Sequence, residues 1–157
     1  MVDFPPHRQA QTLCDIVRNR VLMEQKEFSK WTIRFLEENY PEFTQTIKFQ
    51  DDGSFDCDLK SESGVFSIWI ATYGCEITIG IEDPTGKTDI HSHISCYELD
   101  ELEICGKKLS TIIENIKGDK LVVYQDENGE YNWIESSKFK NLTGCEKLSW
   151  KNNHNAT

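Results

Sequence analysis

The middle of this chain alternates apolar and polar residues across four consecutive turns. That pattern restricts the fold more than any other feature. Five stretches read as strands: 45–50, 54–60, 65–72, 75–82 and 88–95. Short turn-rich gaps at 51–53, 61–64, 73–74 and 83–87 join them, which implies an antiparallel meander of hairpins. A one-residue slip in any hairpin turns every side chain of a strand over, so the apolar pattern tests the register. A three-residue loop with Gly53 in its left-handed slot sets Phe49 against Phe55 and Ile47 against Cys57. A four-residue turn at 61–64 sets Leu59 against Phe66, Cys57 against Ile68 and Phe55 against Ile70. A two-residue turn at Tyr73-Gly74 sets Ile70 against Ile77, Ile68 against Ile79 and Phe66 against Ile81. The last hairpin adds Ile90 and Ile94 to the same side. Turns of different length thus agree on one apolar face.

The opposite face follows by subtraction. It carries Asp56 and Asp58, then Ser67, Trp69 and Ala71, then Glu76, Thr78, Gly80 and Glu82, then Asp89, His91 and His93. Across strands, Asp56, Trp69, Thr78 and His93 are expected in one row, and Ser67, Gly80 and His91 in the next. An antiparallel sheet commonly turns one polar face to water. Trp69 does not fit plain solvent display, because a large aromatic on a wet face is typical of a contact surface. Cover by the C-terminal segment is the other account of it.

Flanking segments supply helices. Cys14, Val21, Phe28 and Phe35 recur every seven residues, with Val17 and Trp31 interleaved, so 7–39 is expected to be helical. Glu24 interrupts the stripe, which allows a kink or a pair of helices. The Tyr40-Pro41 step should end it, because proline disfavours helical geometry in the residue before it. Leu102, Cys105, Leu109, Ile112, Ile113 and Ile116 mark a second helix, with Gly118 as its cap. Segments 121–125 and 130–135 flank an Asn128-Gly129 turn and should extend or cap the sheet. The expected fold is therefore α+β: an antiparallel meander of five to seven strands, with an N-terminal helix or helix pair and a second helix on one face. Residues 1–150 read as one domain and 151–157 as a frayed polar tail.

Charge is concentrated in the same middle region. Residues 51–103 hold thirteen carboxylates and two lysines, a net of −11 against −10 for the whole chain. A surface of that sign attracts a basic partner. It repels nucleic acid and acidic membrane, which bind through lysine and arginine. Glu98, Asp100, Glu101 and Glu103 sit before or in the first turns of the second helix, where the helix dipole favours them. The start of the chain lacks the basic patch and apolar run of a signal peptide, and no stretch approaches a membrane span. A cytoplasmic protein is expected. Its six cysteines contain no C-x-x-C pair and read as separate buried thiols.

His91-Ser92-His93 is the one motif with ligand character, since residues i and i+2 of a strand share a face. Asp83, Asp89, Glu76 or Cys96 would have to complete a metal site there. The chain has no Walker loop, dinucleotide fingerprint, nucleophile elbow or H-E-x-x-H helix. Asp51, Asp52, Asp56 and Asp58 do not match a calcium loop. Cys75 is placed on the core face, which makes it a poor nucleophile. The expectation is no catalytic residue and no cofactor.

The segment Ile70-Ala71-Thr72-Tyr73-Gly74-Cys75-Glu76-Ile77-Thr78-Ile79-Gly80, followed by His91-x-His93, resembles the immunity proteins of bacterial polymorphic-toxin and contact-dependent inhibition systems. The resemblance covers roughly residues 65–95 and the general layout. It implies a stoichiometric inhibitor that binds and occludes a cognate toxin domain, often a basic nuclease. The acidic, aromatic-centred face points the same way. The residues expected to bind that partner are Asp56, Asp58, Trp69, Glu76, Thr78, Glu82, Asp89, His91 and His93. Two alternatives remain open at this stage: a metal-dependent enzyme using His91 and His93, and a general protein-binding adaptor. The stretch 98–103 is the alternative interface.

Overall fold

The computed structural model describes residues 23–152. Cys14, Val17 and Val21 of the expected first helix lie outside them, as do positions 153–157 of the tail. Helix α1 (Gln25–Asn39) carries the rest of the stripe and buries Phe28, Ser29, Thr32 and Leu36. Glu24, which interrupts the stripe, takes the N-cap position in extended geometry. The helix ends where proline requires. Tyr40 donates its N–H to the Leu36 carbonyl at 2.7 Å, and Pro41 opens a 3-10 helix (Pro41–Thr46).

That 3-10 helix takes the start of the first expected strand, leaving β1 only Lys48–Phe49. The reason is local hydrogen bonding. Thr44 and Thr46 donate back to the carbonyls of Pro41 and Phe43, at 2.7 and 3.3 Å. Thr46 also serves as an edge for the next strand, accepting the Asp58 N–H at 2.9 Å. Short hydroxyl side chains compete with a ladder in this way.

Strands β1, β2 (Phe55–Lys60), β3 (Ser67–Tyr73), β4 (Glu76–Glu82) and β5 (Ile90–Ser95) form one antiparallel sheet in that order. The first register is as expected: Phe49 faces Phe55, and Gly53 holds φ +85° in the loop. The next two hairpins differ from expectation by two residues. Cys57 faces Ile70 and Leu59 faces Ile68, while Ile70 faces Ile79 and Ile68 faces Ile81. Glycine position explains the β3–β4 turn. The loop is Gly74-Cys75, with Gly74 first at φ +58°. A Tyr73-Gly74 loop would put a tyrosine in that left-handed slot, where a Cβ is costly. In the β2–β3 turn, Ser61 remains paired, donating its N–H to the Phe66 carbonyl at 2.8 Å, so the loop becomes 62–65. A two-residue shift keeps every side chain on its expected face.

Ile68, Ile70, Ile77, Ile79 and Ile81 are fully covered, beneath α1 and helix α2 (Leu102–Lys117). Each buried side chain of this size contributes about 1.5–3 kcal/mol. The two helices approach closely: a Cβ on Gly106 would lie 2.8 Å from the Phe35 ring. α2 does not end on a left-handed glycine. Gly118 keeps φ −93°, and Asp119 takes φ +56° instead. Its carboxylate compensates by holding Lys147 at 3.2 Å and accepting the Trp150 N–H at 3.5 Å.

The C-terminal hairpin does not join the large sheet. Strands β6 (Leu121–Gln125), β7 (Tyr131–Glu135) and β8 (Glu146–Leu148) form a second sheet in the order β7-β6-β8, with the short helix α3 (Ser136–Phe139) after β7. Trp150 then packs edge-on against Phe66, ring centres 5.8 Å apart. The C-terminal segment thus covers the edge of the inner face, through Phe66, on the side opposite Trp69.

Cys57, Cys96 and Cys105 are buried thiols, whereas Cys75 and Cys145 are half-buried. Cys75 lies half-buried in the β3–β4 loop and packs against the core, its thiol donating to the Met23 carbonyl at 3.2 Å. Burial, with Asp58 and Asp56 adding to it, pushes the Cys57 thiol up to about 12. Among the described residues, no helix is long and apolar enough to cross a membrane.

Candidate functional site

The two-residue shift rearranges the rows of the outer face. Asp58, Trp69, Gly80 and His91 form one row, and Asp56, Ala71, Thr78 and His93 the next. Trp69 therefore stands with His91 and Asp58, not with Thr78 and His93 as expected. Glu82 lies opposite Ser67, diagonal to Trp69, and Glu76 lies opposite Tyr73 at the far end. Asp89 is not on the sheet face. It lies exposed in the loop before β5.

Gly80 organises the central row. A Cβ there would sit 2.4 Å from the Ile90 carbonyl oxygen and 2.7 Å from the His91 Cβ. The missing side chain lets β5 close in. It also lets Trp69 and His91 meet across β4, ring centres 5.9 Å apart. Aromatic cover of a glycine is a known device for pinning sheet register.

Trp69 is half-buried, but its Nε1 is covered and has no hydrogen-bond partner. Beside it lies a cavity of about 300 Å³ lined by Lys48, Asp56, Asp58, Trp69, Glu82 and Thr88. The carboxylates there are poorly satisfied. Asp56 accepts a hydrogen bond from Gln50 Nε2 at 3.2 Å. Among the described residues, Asp58 and Glu82 pair with no cation, and Lys48 pairs with no carboxylate. Lys48 and Thr88 were not among the residues expected here. The Lys48–Asp56 pairing was available from the first register, which the sequence identifies correctly.

The histidines form a separate group. His93 Nδ1 lies 2.7 Å from Glu76 Oε1 and 3.2 Å from the Thr78 hydroxyl. His91 Nδ1 lies 3.3 Å from the Thr88 carbonyl, which can only accept, so that nitrogen donates. The two rings meet edge to face at 4.9 Å. With side chains 52% and 38% exposed, the His93–Glu76 pair contributes little to stability. Among the described residues no group of three or more His, Cys, Asp or Glu side chains is placed to hold a metal. Of the residues named as completing ligands, Glu76 meets His93 and Asp89 lies in the loop before β5. Cys96 is buried, and Asp83 is committed to its own loop.

The acidic entry to α2 is also committed locally. Glu101 accepts the N–H groups of Tyr97 and Glu98, at 2.8 and 3.2 Å. Glu103 pairs with Lys107 at 2.8 Å, and its carboxyl is held below the ordinary range by that hydrogen bond and charge. A wider, open cleft of about 1010 Å³ lies between α1 and α2, lined by Trp31, Phe35, Leu102 and Gly106 among others. Its charged lining is Asp100, Glu103 and Lys107, and the last two pair with each other. Compared with protein-family models, curated proteins and solved structures, the chain matches none.

Proposed function

We propose that this chain is a binding protein whose acidic sheet face neutralises a basic protein partner, in the manner of an immunity protein that occludes a toxin domain. The observation that supports this best is the environment of Trp69. Carboxylates stand around a half-exposed indole, and none of the described lysines or arginines pairs with Asp58 or Glu82. Carboxylates left unpaired beside an aromatic are suited to meeting the cations of another molecule. The negative field steers encounter, and a central aromatic holds the complex once formed. Occlusion needs no catalytic group. The partner uses its lysines and arginines on its own substrate, and they are masked when they pair with Asp56, Asp58, Glu76 and Glu82. The same sign of charge disfavours nucleic acid and acidic membrane as partners.

The test is association with a basic toxin-sized domain encoded beside this chain. The expected complex has one-to-one stoichiometry, and partner activity falls in proportion to added protein. Association should slow steeply with added salt. Changing Asp58 and Glu82 to lysine should slow association with the fold intact. Trp69→Ala should speed dissociation and cost roughly 2 kcal/mol or more. Inactivation by a substoichiometric amount would instead mean turnover, and would overturn the binding reading.

A further inference from the structure

We infer that the cavity beside Trp69 is a socket for one arginine side chain of the partner; this rests on the reading of the outer sheet face as a binding surface. At about 300 Å³ the space is at the small end of ligand pockets, sized for one side chain and not for a cofactor. Its charge selects a cation. Asp58 stands directly opposite Trp69 in the ladder, and Asp56 and Glu82 are diagonal to it on the two flanking strands. Carboxylates thus approach the indole from both sides, and Lys48 in the same wall pairs with none of them.

The indole supplies the second, independent argument. Its Nε1 is covered and has no acceptor, although the residue is half-exposed. What the ring leaves open is therefore carbon. It lines the cavity with carbon rather than with a donor edge. A π surface attracts a cation, and His91 braces the ring from across Gly80. Arginine suits these walls better than lysine. Its planar guanidinium stacks on an indole, and its five N–H donors reach carboxylates on separate strands, whereas an ammonium is a single point charge.

The experiment follows the Trp69 indole N–H resonance in the ¹⁵N-labelled full chain, assigned by its loss in Trp69→Phe. The probes are N-acetyl-arginine methylamide, its lysine counterpart, and the neutral isostere N-acetyl-citrulline methylamide. The arginine probe should shift the resonance saturably, with Kd on the order of 1–10 mM. The lysine probe should bind several-fold more weakly, and the citrulline probe should cause no shift. Asp58→Asn should weaken the arginine probe about tenfold. Glu146→Gln, exposed on the second sheet and outside the cavity, should leave it unchanged. No shift with arginine, an equal shift with citrulline, or indifference to Asp58→Asn would overturn the socket. The two readings fail differently. If Glu76→Lys weakens the protein partner while the arginine probe does nothing, the socket is wrong and the face stands. If the probe binds but the partner ignores every change on the face, the binding face is wrong.

Discussion

On the inner face of the five-stranded sheet, Ile68, Ile70, Ile77, Ile79 and Ile81 are fully covered. On the outer face of the same strands, Trp69, Thr78 and Glu82 remain within reach of water. The inner face is fixed by burial, which depends on which side a residue faces and little on its neighbour across the ladder. The outer face has no such constraint, so what it displays is free to serve another molecule. The asymmetry is measurable. Ile79→Ala should lower unfolding free energy by about 2–5 kcal/mol, as core truncations do. Thr78→Ala, one residue along and facing out, should stay within roughly 0.5 kcal/mol. Urea unfolding with unchanged m-values checks both. Similar costs for the two changes would dissolve the distinction between the faces.

Gly80 is the one outer-face position where inner-face rules apply. Its added Cβ would meet the Ile90 carbonyl oxygen at 2.4 Å, which is backbone and yields poorly. Gly80→Ala should therefore cost about 1–3 kcal/mol, the usual range for overpacking. It should also part Trp69 from His91 and change the indole's emission. A neutral Gly80→Ala would mean that β5 is not pressed against β4 at this point.

The same contrast explains what was legible in the sequence. Alternation identified both faces, the order of the five strands and, Asp89 apart, the membership of the acidic surface, because period-two patterning survives a two-residue shift. It did not identify the rows, because Ile70 is satisfied equally by Ile77 or Ile79. The discriminating signal was the turn. Gly74 must be the first loop residue to spare Tyr73 a positive φ, and that places Trp69 opposite Gly80 and within reach of His91. The 62–65 turn sets it opposite Asp58. Asp89 was assigned to the face because strand patterning extends past the true start of β5. The separate C-terminal sheet was not legible. Nothing local in 121–135 says which edge it pairs with, and the β8 segment that completes it (Glu146–Leu148) is too short to show a period.

Asp83 lies where the two faces meet and provides the smallest test. It is 8% exposed at the turn between β4 and β5. One carboxylate oxygen accepts the Thr85 N–H at 2.7 Å, the Thr85 hydroxyl at 2.6 Å and the Lys87 N–H at 3.2 Å. Burial alone would raise its pKa. The Thr85 hydroxyl, the two amides and the Lys87 charge outweigh burial and hold it below the ordinary 3.8. A carboxyl lowered in the folded state binds its proton more weakly there than in the unfolded chain. Its stabilisation is thus complete above the ordinary value, and is lost as pH falls through the lowered one. Asp83→Asn should cost about 1–2 kcal/mol at neutral pH, from weakened charge-assisted hydrogen bonds. The gap between variant and wild type should hold constant down to about pH 5 and close progressively at lower pH. Asp89→Asn, in the same loop but exposed and without a side-chain partner among the described residues, should stay within roughly 0.5 kcal/mol of wild type at neutral pH. Urea midpoints measured across this range decide the matter. A gap that widens on acidification would mean that the turn is held by the protonated acid, and the loop joining the two faces would need a different account.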